Sequence, residues 1–243
     1  MIKWFIIITL GLPVIIYSEI VLLIMNSNKE KYSLQQRYNV VRNTVKWINT
    51  LTRRRYRFIN EDIIKTPRSY GRVYISNHLH LFDIMTVIEN SPKPIICISK
   101  KENSKVPFLT TFMKALDTLC IDRENARQSL KICKEAGELV QQGTDIIIYA
   151  EGTRSKDGNV AEFKAATSAI VQYAKSEIVL ITTHNTKKPL SFRWFTYPKE
   201  YVNIKYFEPL PYEFFLQHRK DFAVVTRQMI SDQLDEFKKE YDN

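Results

Sequence analysis

The chain has 243 residues, 44% of them hydrophobic, with only six glycines and nine prolines, which is room for one α/β domain of ordinary size plus a short appendage. It has no internal repeat or low-complexity tract, which excludes solenoid, collagen-like and disordered classes. Three cysteines, Cys97, Cys120 and Cys133, form no CxxC pair, which excludes a disulfide framework and reads as buried thiols in a reducing compartment, while the net charge of +10 is unevenly spread.

Residues 4–25 are almost continuously apolar, about 22 positions or ~33 Å as a helix. That length suits a bilayer-crossing helix, although Pro13 interrupts the run and Glu19 would be a costly charge at depth. The alternative is a helix lying in one leaflet. Either form holds the chain at a membrane, so residues 1–25 are expected to be an anchor. Residues 26–66 carry ten Lys and Arg against three acidic residues, including Arg53, Arg54, Arg55 and Arg57. Such a segment is drawn to anionic headgroups by ~1 kcal/mol per residue near the surface. It also places this side of the anchor in the cytoplasm. A nucleic-acid partner is not expected, because no nucleic-acid module accompanies the basic run.

Within that segment, Tyr38, Val41, Val45, Ile48 and Leu51 recur at helical spacing over residues 33–51. They predict a second, amphipathic helix that packs on the first or lies on lipid. The Arg-rich run after it reads as a solvated or headgroup-facing connection.

From residue 67 onward the pattern is that of one α/β domain, 67–243. Strands are expected at 73–76, 94–99, 119–121, 146–150, 178–182, 192–197 and 201–206. Helices are expected at 81–89, 107–116, 127–142 and 221–241. Alternating strands and helices imply an α/β fold with a largely parallel sheet flanked by helices and its site at the strand C-termini.

Two polar clusters follow strand-like runs: Asn77-His78-Leu79-His80-Leu81-Phe82-Asp83, and Glu151-Gly152-Thr153-Arg154-Ser155. On one regular helix, His78 and Asp83 would be separated by ~140° and could not meet. Pairing therefore requires His78 in the loop and Asp83 in the first turn of the helix, where the dipole favours a carboxylate. There Asp83 accepts from Nδ1–H and leaves Nε2 free as a base. Two readings compete on these residues alone. Asp83 could simply cap the helix, or pair with His80 three residues earlier. A metal is not expected, since the other histidines, His184 and His218, sit in no ligand cluster. In the second cluster Gly152 permits a tight turn and Arg154 offers a planar donor fork suited to phosphate. Ile121-Asp122-Arg123 gives another charge pair at a strand exit, and Lys164 follows Phe163 shortly after the second cluster.

The order NHxxxxD, IDR, EGTRS, FK resembles the glycerolipid acyltransferase family over residues 71–211, including Phe207-Glu208-Pro209-Leu210. The resemblance implies His78 as catalytic base and Asp83 as its orienter, with Arg123, Glu151, Gly152, Thr153, Arg154 and Lys164 lining an acceptor-phosphate site. It further implies an O-acyltransferase without cofactor. Its co-substrate would be an acyl carrier protein or coenzyme A thioester, and its acceptor lysophosphatidate, giving phosphatidic acid. Another lysolipid, such as a lysophospholipid or lyso-ornithine lipid, is the alternative acceptor. Some positions depart from the family pattern. Asp117 stands where glycine is usual, and would repel an anion if it pointed inward. Ala150 replaces the proline before EGTR.

Overall fold

The computed structural model describes residues 2–52, 54–155, 157–186 and 201–241. Two helices, α1 (Ile2–Ser27) and α2 (Leu34–Leu51), lead into β1 (Tyr56–Ile59) and a single turn, α3 (Asp62–Lys65). Then come β2 (Val73–Ser76), α4 (Phe82–Asn90), β3 (Ile95–Lys100), α5 (Leu109–Ala115), β4 (Leu119–Ile121) and α6 (Ala126–Gln141). The chain closes with β5 (Asp145–Tyr149), α7 (Ala165–Ala174), β6 (Ile178–His184), β7 (Val202–Tyr206), α8 (Tyr212–Gln217) and α9 (Phe222–Tyr241). The expected strand at 192–197 lies outside the described residues.

The strands form one sheet in the order β1-β7-β6-β2-β5-β3-β4. Every pair is parallel except β6–β7. Helices cover both faces, as the alternation of strand and helix predicts. Successive residues of each central strand feed opposite cores. Val73, Ile75, Ile146 and Ile148 pack with α6, α7, α8 and α9. Tyr74, Ile147, Val179 and Ile181 pack with α1, α2, α4 and α5. β2, β5 and β6 are buried along their whole length, which is why they read as unbroken apolar runs. At the N-terminal end of the sheet, Asp145 is fully buried and accepts the Arg72 amide at 3.0 Å, with Arg68 and Lys93 paired to its carboxylate. Those bonds close the end of the sheet away from the site.

α2 has a capping box in which Ser33 and Gln36 exchange side-chain and backbone hydrogen bonds. Its apolar face, Tyr38, Val41 and Val45, packs into the core beside α1 rather than onto lipid.

Two expectations need correction. Among the described residues no helix is long and apolar enough to cross a membrane. The second half of α1 belongs to the folded domain. Ser18 accepts from Thr44 at 2.7 Å, Glu19 accepts from Thr111 at 2.6 Å, and Leu22 and Met25 are buried. The Arg-rich connection, too, is largely inside the fold. Tyr56–Ile59 is a strand paired with β7, Arg54 is only 8% exposed, and Arg57 lies over the rings of Tyr201 and Tyr241. Aromatic faces and a sheet partner, absent from any local reading, draw these cations in.

Candidate active site

β2 and β5 are neighbours with Ser76 opposite Tyr149. The two loops that leave them, starting at Asn77 and Ala150, therefore emerge side by side. Each is then tied to its surroundings. Asn77 is fully buried, donates to the Thr183 carbonyl at 2.9 Å and accepts the Thr183 amide at 2.8 Å, extending the pairing of β2 with β6 by a side chain. Ser155 donates its amide to the His78 carbonyl at 2.7 Å. The Glu151 carboxylate spans two loops, accepting from the His78 amide and from the Ala161 amide, both at 2.8 Å.

In this frame, His78 sits in the loop and Asp83 in the first turn of α4, the only arrangement in which they meet. Nδ1 of His78 is 2.8 Å from Oδ2 of Asp83. The same oxygen accepts the amides of Leu79 at 2.7 Å and His80 at 2.9 Å. An ionised carboxylate offers acceptors only, so Nδ1 carries the proton and Nε2 is the basic nitrogen. Asp83 thus pins the 78–80 turn and orients the imidazole at once, while α4 itself carries no side-chain cap. The His80 ring stacks on Phe82 at 5.1 Å, and its backbone amide donates to the Asp83 carboxylate. One consequence concerns the oxyanion. The amides of residues 78–80 are all committed to Glu151 and Asp83, so this turn offers none of those three to a developing negative charge.

Burial pushes the Glu151 carboxyl above the usual carboxylate range, against the hydrogen bonds from Ala161 and His78 and the nearby imidazole. Tyr149 lies against the His78 ring, 4.4 Å between centroids, and burial raises its phenol well above its ordinary value. It is a neutral wall, not a second base.

Gly152 turns with φ +72°, in the left-handed region that favours glycine. Arg123 donates to its carbonyl. A Cβ there would meet Arg123 Nη2 at 3.3 Å and Lys164 Cγ at 3.4 Å. The turn therefore gathers Arg123, from the exit of β4, with Thr153, Arg154 and Lys164, from the two ends of the connection between β5 and α7. Glu151 belongs to the frame of this group, since both of its oxygens are taken by backbone amides. Asp117 stays away from it. Its carboxylate accepts from Arg37 at 2.8 and 3.0 Å and from Lys29 at 2.5 Å. Against the upward push of burial, those two cations hold it below the usual range. Its φ of +48° explains why glycine suits the position.

His78, Arg123, Gly152, Thr153 and Arg154 line the mouth of a cavity of about 640 Å³. Its interior runs between α2, α4, α5 and the sheet, and is walled by Val45, Ile84, Met85, Ile88, Phe112 and Leu116. Cys97 also lines it, and burial pushes that thiol up to about 12. The wall therefore presents no thiolate to compete for an acyl group. A polar mouth with one base and two guanidinium groups, opening on an apolar interior, suits an amphiphile whose head carries a phosphate.

Sequence reasoning quoted Asn77 in its motif but gave it no role, and it missed Tyr149, whose signal is tertiary.

The acyltransferase family model matches residues 55–184, from β1 to the end of β6. A 1-acyl-sn-glycerol-3-phosphate acyltransferase from Cocos nucifera is 32% identical over 142 residues, 57% of this chain and 45% of that protein. A probable enzyme of the same name from Mycoplasma genitalium is 35% identical over 96 residues, 37% of this chain and 35% of that one. The chain thus spans half or less of the length of such curated relatives. The crystal structure of the 1-acyl-sn-glycerophosphate acyltransferase PlsC from Thermotoga maritima superposes with a TM-score of 0.71 at 19% identity, covering 98% of this chain and 94% of that one. With more than half of its residues inside the family match, the site just described is that of a chain belonging to the acyltransferase family.

Proposed function

We propose that the protein transfers a fatty acyl group from a thioester to the free hydroxyl of 1-acyl-glycerol-3-phosphate, giving phosphatidic acid. The observation that carries the reading is the His78–Asp83 pair at the mouth of an apolar cavity, with Arg123 and Arg154 on its rim. The relatives' names supply the acceptor. Nε2 of His78 takes the hydroxyl proton as the oxygen attacks the thioester carbonyl. The new C–O bond forms, the C–S bond breaks, and the proton passes from the imidazolium to the leaving sulfur. Asp83 holds the tautomer and stabilises the imidazolium between the two steps. Arg123, Arg154 and Lys164 fix the acceptor's phosphate, which places its hydroxyl within reach of Nε2. The carrier of the acyl group is acyl carrier protein or coenzyme A, and no cofactor takes part.

The membrane enters through α1. Leu12, Ile16, Tyr17, Ile20, Leu23 and Ile24 are exposed along it. On this reading α1 lies in one leaflet at the cytoplasmic face, where the lipid acceptor is found.

The test is an assay of purified protein offered lysophosphatidate, glycerol 3-phosphate and lysophospholipids against both thioester donors, with products identified by mass spectrometry. Phosphatidic acid is the expected product. His78→Ala should lower its formation by about 10³-fold or more, on the scale of removing a general base and its partner. A variant with wild-type turnover, or a wild-type enzyme that acylates only phosphate-free lysolipids, would overturn the reading.

A further inference from the structure

The exit of β4 carries more charge than the site uses. Residues 100–134 hold eight Lys and Arg against four acidic residues. Three of those acids are already paired: Glu102 with Lys100, Asp122 with Lys101, and Asp117 with Lys29 and Arg37. In α6, Arg127, Leu130, Lys131 and Lys134 fall within about 100° of helical arc. All four are exposed, Leu130 at 52%. The opposite side of the helix is what folds it, with Cys133, Ala136 and Val140 buried in the core. Lys134 meets Glu138 at 3.8 Å, a loose contact across solvent. The outer face is thus one apolar side chain ringed by three cations, convex and turned to water.

This face is fixed in place beside the mouth of the cavity. Asn125 caps α6 by accepting the Gln128 amide at 3.0 Å. The Gln128 side chain accepts the Asp122 amide at 2.9 Å and donates to the Cys120 carbonyl at 3.0 Å. Ser129 donates to the Asp122 carbonyl at 2.7 Å. Those bonds lock the first turn of α6 to the end of β4. Between the two stands Arg123, which lines the mouth with His78 and Arg154.

The position of the face narrows what can sit on it. α6 packs in the core on one side of the sheet, and α1 and α2 in the core on the other. A bilayer that takes the exposed side of α1 therefore lies across the sheet from α6. A free nucleotide carrier wants a concave pocket, and this surface is a convex helix. A basic face with an apolar centre fits an acidic protein. Opposite charge speeds encounter, and a small contact lets the partner leave after each turnover.

We propose that the Arg127–Lys134 face of α6 docks an acidic acyl carrier protein, which presents its thioester to the mouth beside His78. The inference rests on the acyl-transfer reading above and selects one of its two donors. Lipid acceptor and protein donor then approach from opposite sides of the sheet and do not share a path.

The experiment combines Arg127→Glu, Lys131→Glu and Lys134→Glu in the full chain. Glutamate forms helix about as well as the residues it replaces, and none of the three is in the core. The KM for an acyl carrier protein thioester should rise about tenfold or more and lose its salt dependence. With the coenzyme A thioester, kcat and KM should stay at wild-type values, and so should co-sedimentation with vesicles. Equal losses with both donors, an unchanged carrier KM, or lost vesicle binding would each overturn the docking surface. Should the triple variant not fold, Lys131→Glu alone is read in the same way. Titrating ¹⁵N-labelled carrier protein with the enzyme, followed by NMR, keeps this surface separate from the activity. Carrier binding that the triple variant abolishes, in a protein that forms no phosphatidic acid, would uphold the surface and remove the proposed reaction. A wild-type protein that makes phosphatidic acid from the coenzyme A thioester but neither binds nor uses the carrier would overturn the surface and leave the reaction standing.

Discussion

Glu151 shows how one carboxylate can organise two loops without touching substrate. Its oxygens accept the amides of His78 and Ala161, so the charge is satisfied entirely by backbone donors. Gln is nearly isosteric, but its NH₂ would face one of those N–H groups and leave both unsatisfied. Glu151→Gln should therefore cost about 1–3 kcal/mol and loosen the loop that carries the base. The expected result is a lower Tm together with reduced kcat, and a KM for the acceptor that hardly moves. A raised KM with unchanged kcat would instead place Glu151 against the phosphate. The pH sign is also fixed. Burial raises its folded pKa above 4.5, so the folded chain holds this proton more tightly than the unfolded one. Stability from this group is full below the unfolded pKa and falls as pH climbs toward the folded value. The Gln variant should lack that slope. For Arg154 the expected outcome is the reverse of that for Glu151. It lines the cavity mouth and holds no loop, so Arg154→Ala should raise the acceptor KM about tenfold or more, the scale of a lost charge-assisted bond, with Tm unchanged.

At the scale of elements, α6 and α7 approach through Gly137. A Cβ there would lie 2.4 Å from Tyr173 Cβ and 2.8 Å from the Ala174 amide. In an isolated helix, Gly→Ala is favourable by ~1 kcal/mol. Here the clash outweighs that gain, and Gly137→Ala should destabilise by about 1–3 kcal/mol in chemical denaturation. A stabilised variant would mean the two helices slide apart freely. The same pair of helices shows what sequence could reveal. α6 was legible because its apolar positions recur at helical spacing, Asn125 caps it, and a glycine follows its end. α7 went unread. Its N-cap is Lys164, which makes no side-chain cap, and it ends on Lys175 in the left-handed region rather than on a glycine. β2 and β4 were placed to the residue because short apolar runs between polar stops admit few alternatives. β1 was missed since its residues are half-buried and charged, and its only strand partner lies about 146 positions away. His78 and Asp83 were readable as a pair because their geometry is local. Arg54 was not, because what draws it inward is a ring on another element.

Across the whole molecule, α1 serves two environments, and separate substitutions can address each. One side of its second half closes the core, through Leu22 at 0% exposure and the Asn26 amide on the Thr111 carbonyl at 3.0 Å. The other carries Ile16, Ile20, Leu23 and Ile24, each between 44% and 54% exposed. Leu22→Ala opens a cavity and should cost about 2–5 kcal/mol of folding stability, with little effect on lipid binding by the molecules that remain folded. Replacing Ile16, Ile20, Leu23 and Ile24 by Gln should do the opposite. These side chains lose little on folding, but on a bilayer each buries roughly half its surface, about 1 kcal/mol apiece. Together they amount to ~4 kcal/mol, close to a thousandfold in vesicle affinity. Co-sedimentation with vesicles of mixed anionic and neutral phospholipid measures this directly, and raising the salt separates the basic contribution from the apolar one. A quadruple variant that still sediments in high salt would move the membrane contact away from α1. One that stays in solution, keeps its Tm and acylates detergent-dispersed lysophosphatidate would show that α1 delivers the enzyme to its substrate without taking part in the reaction.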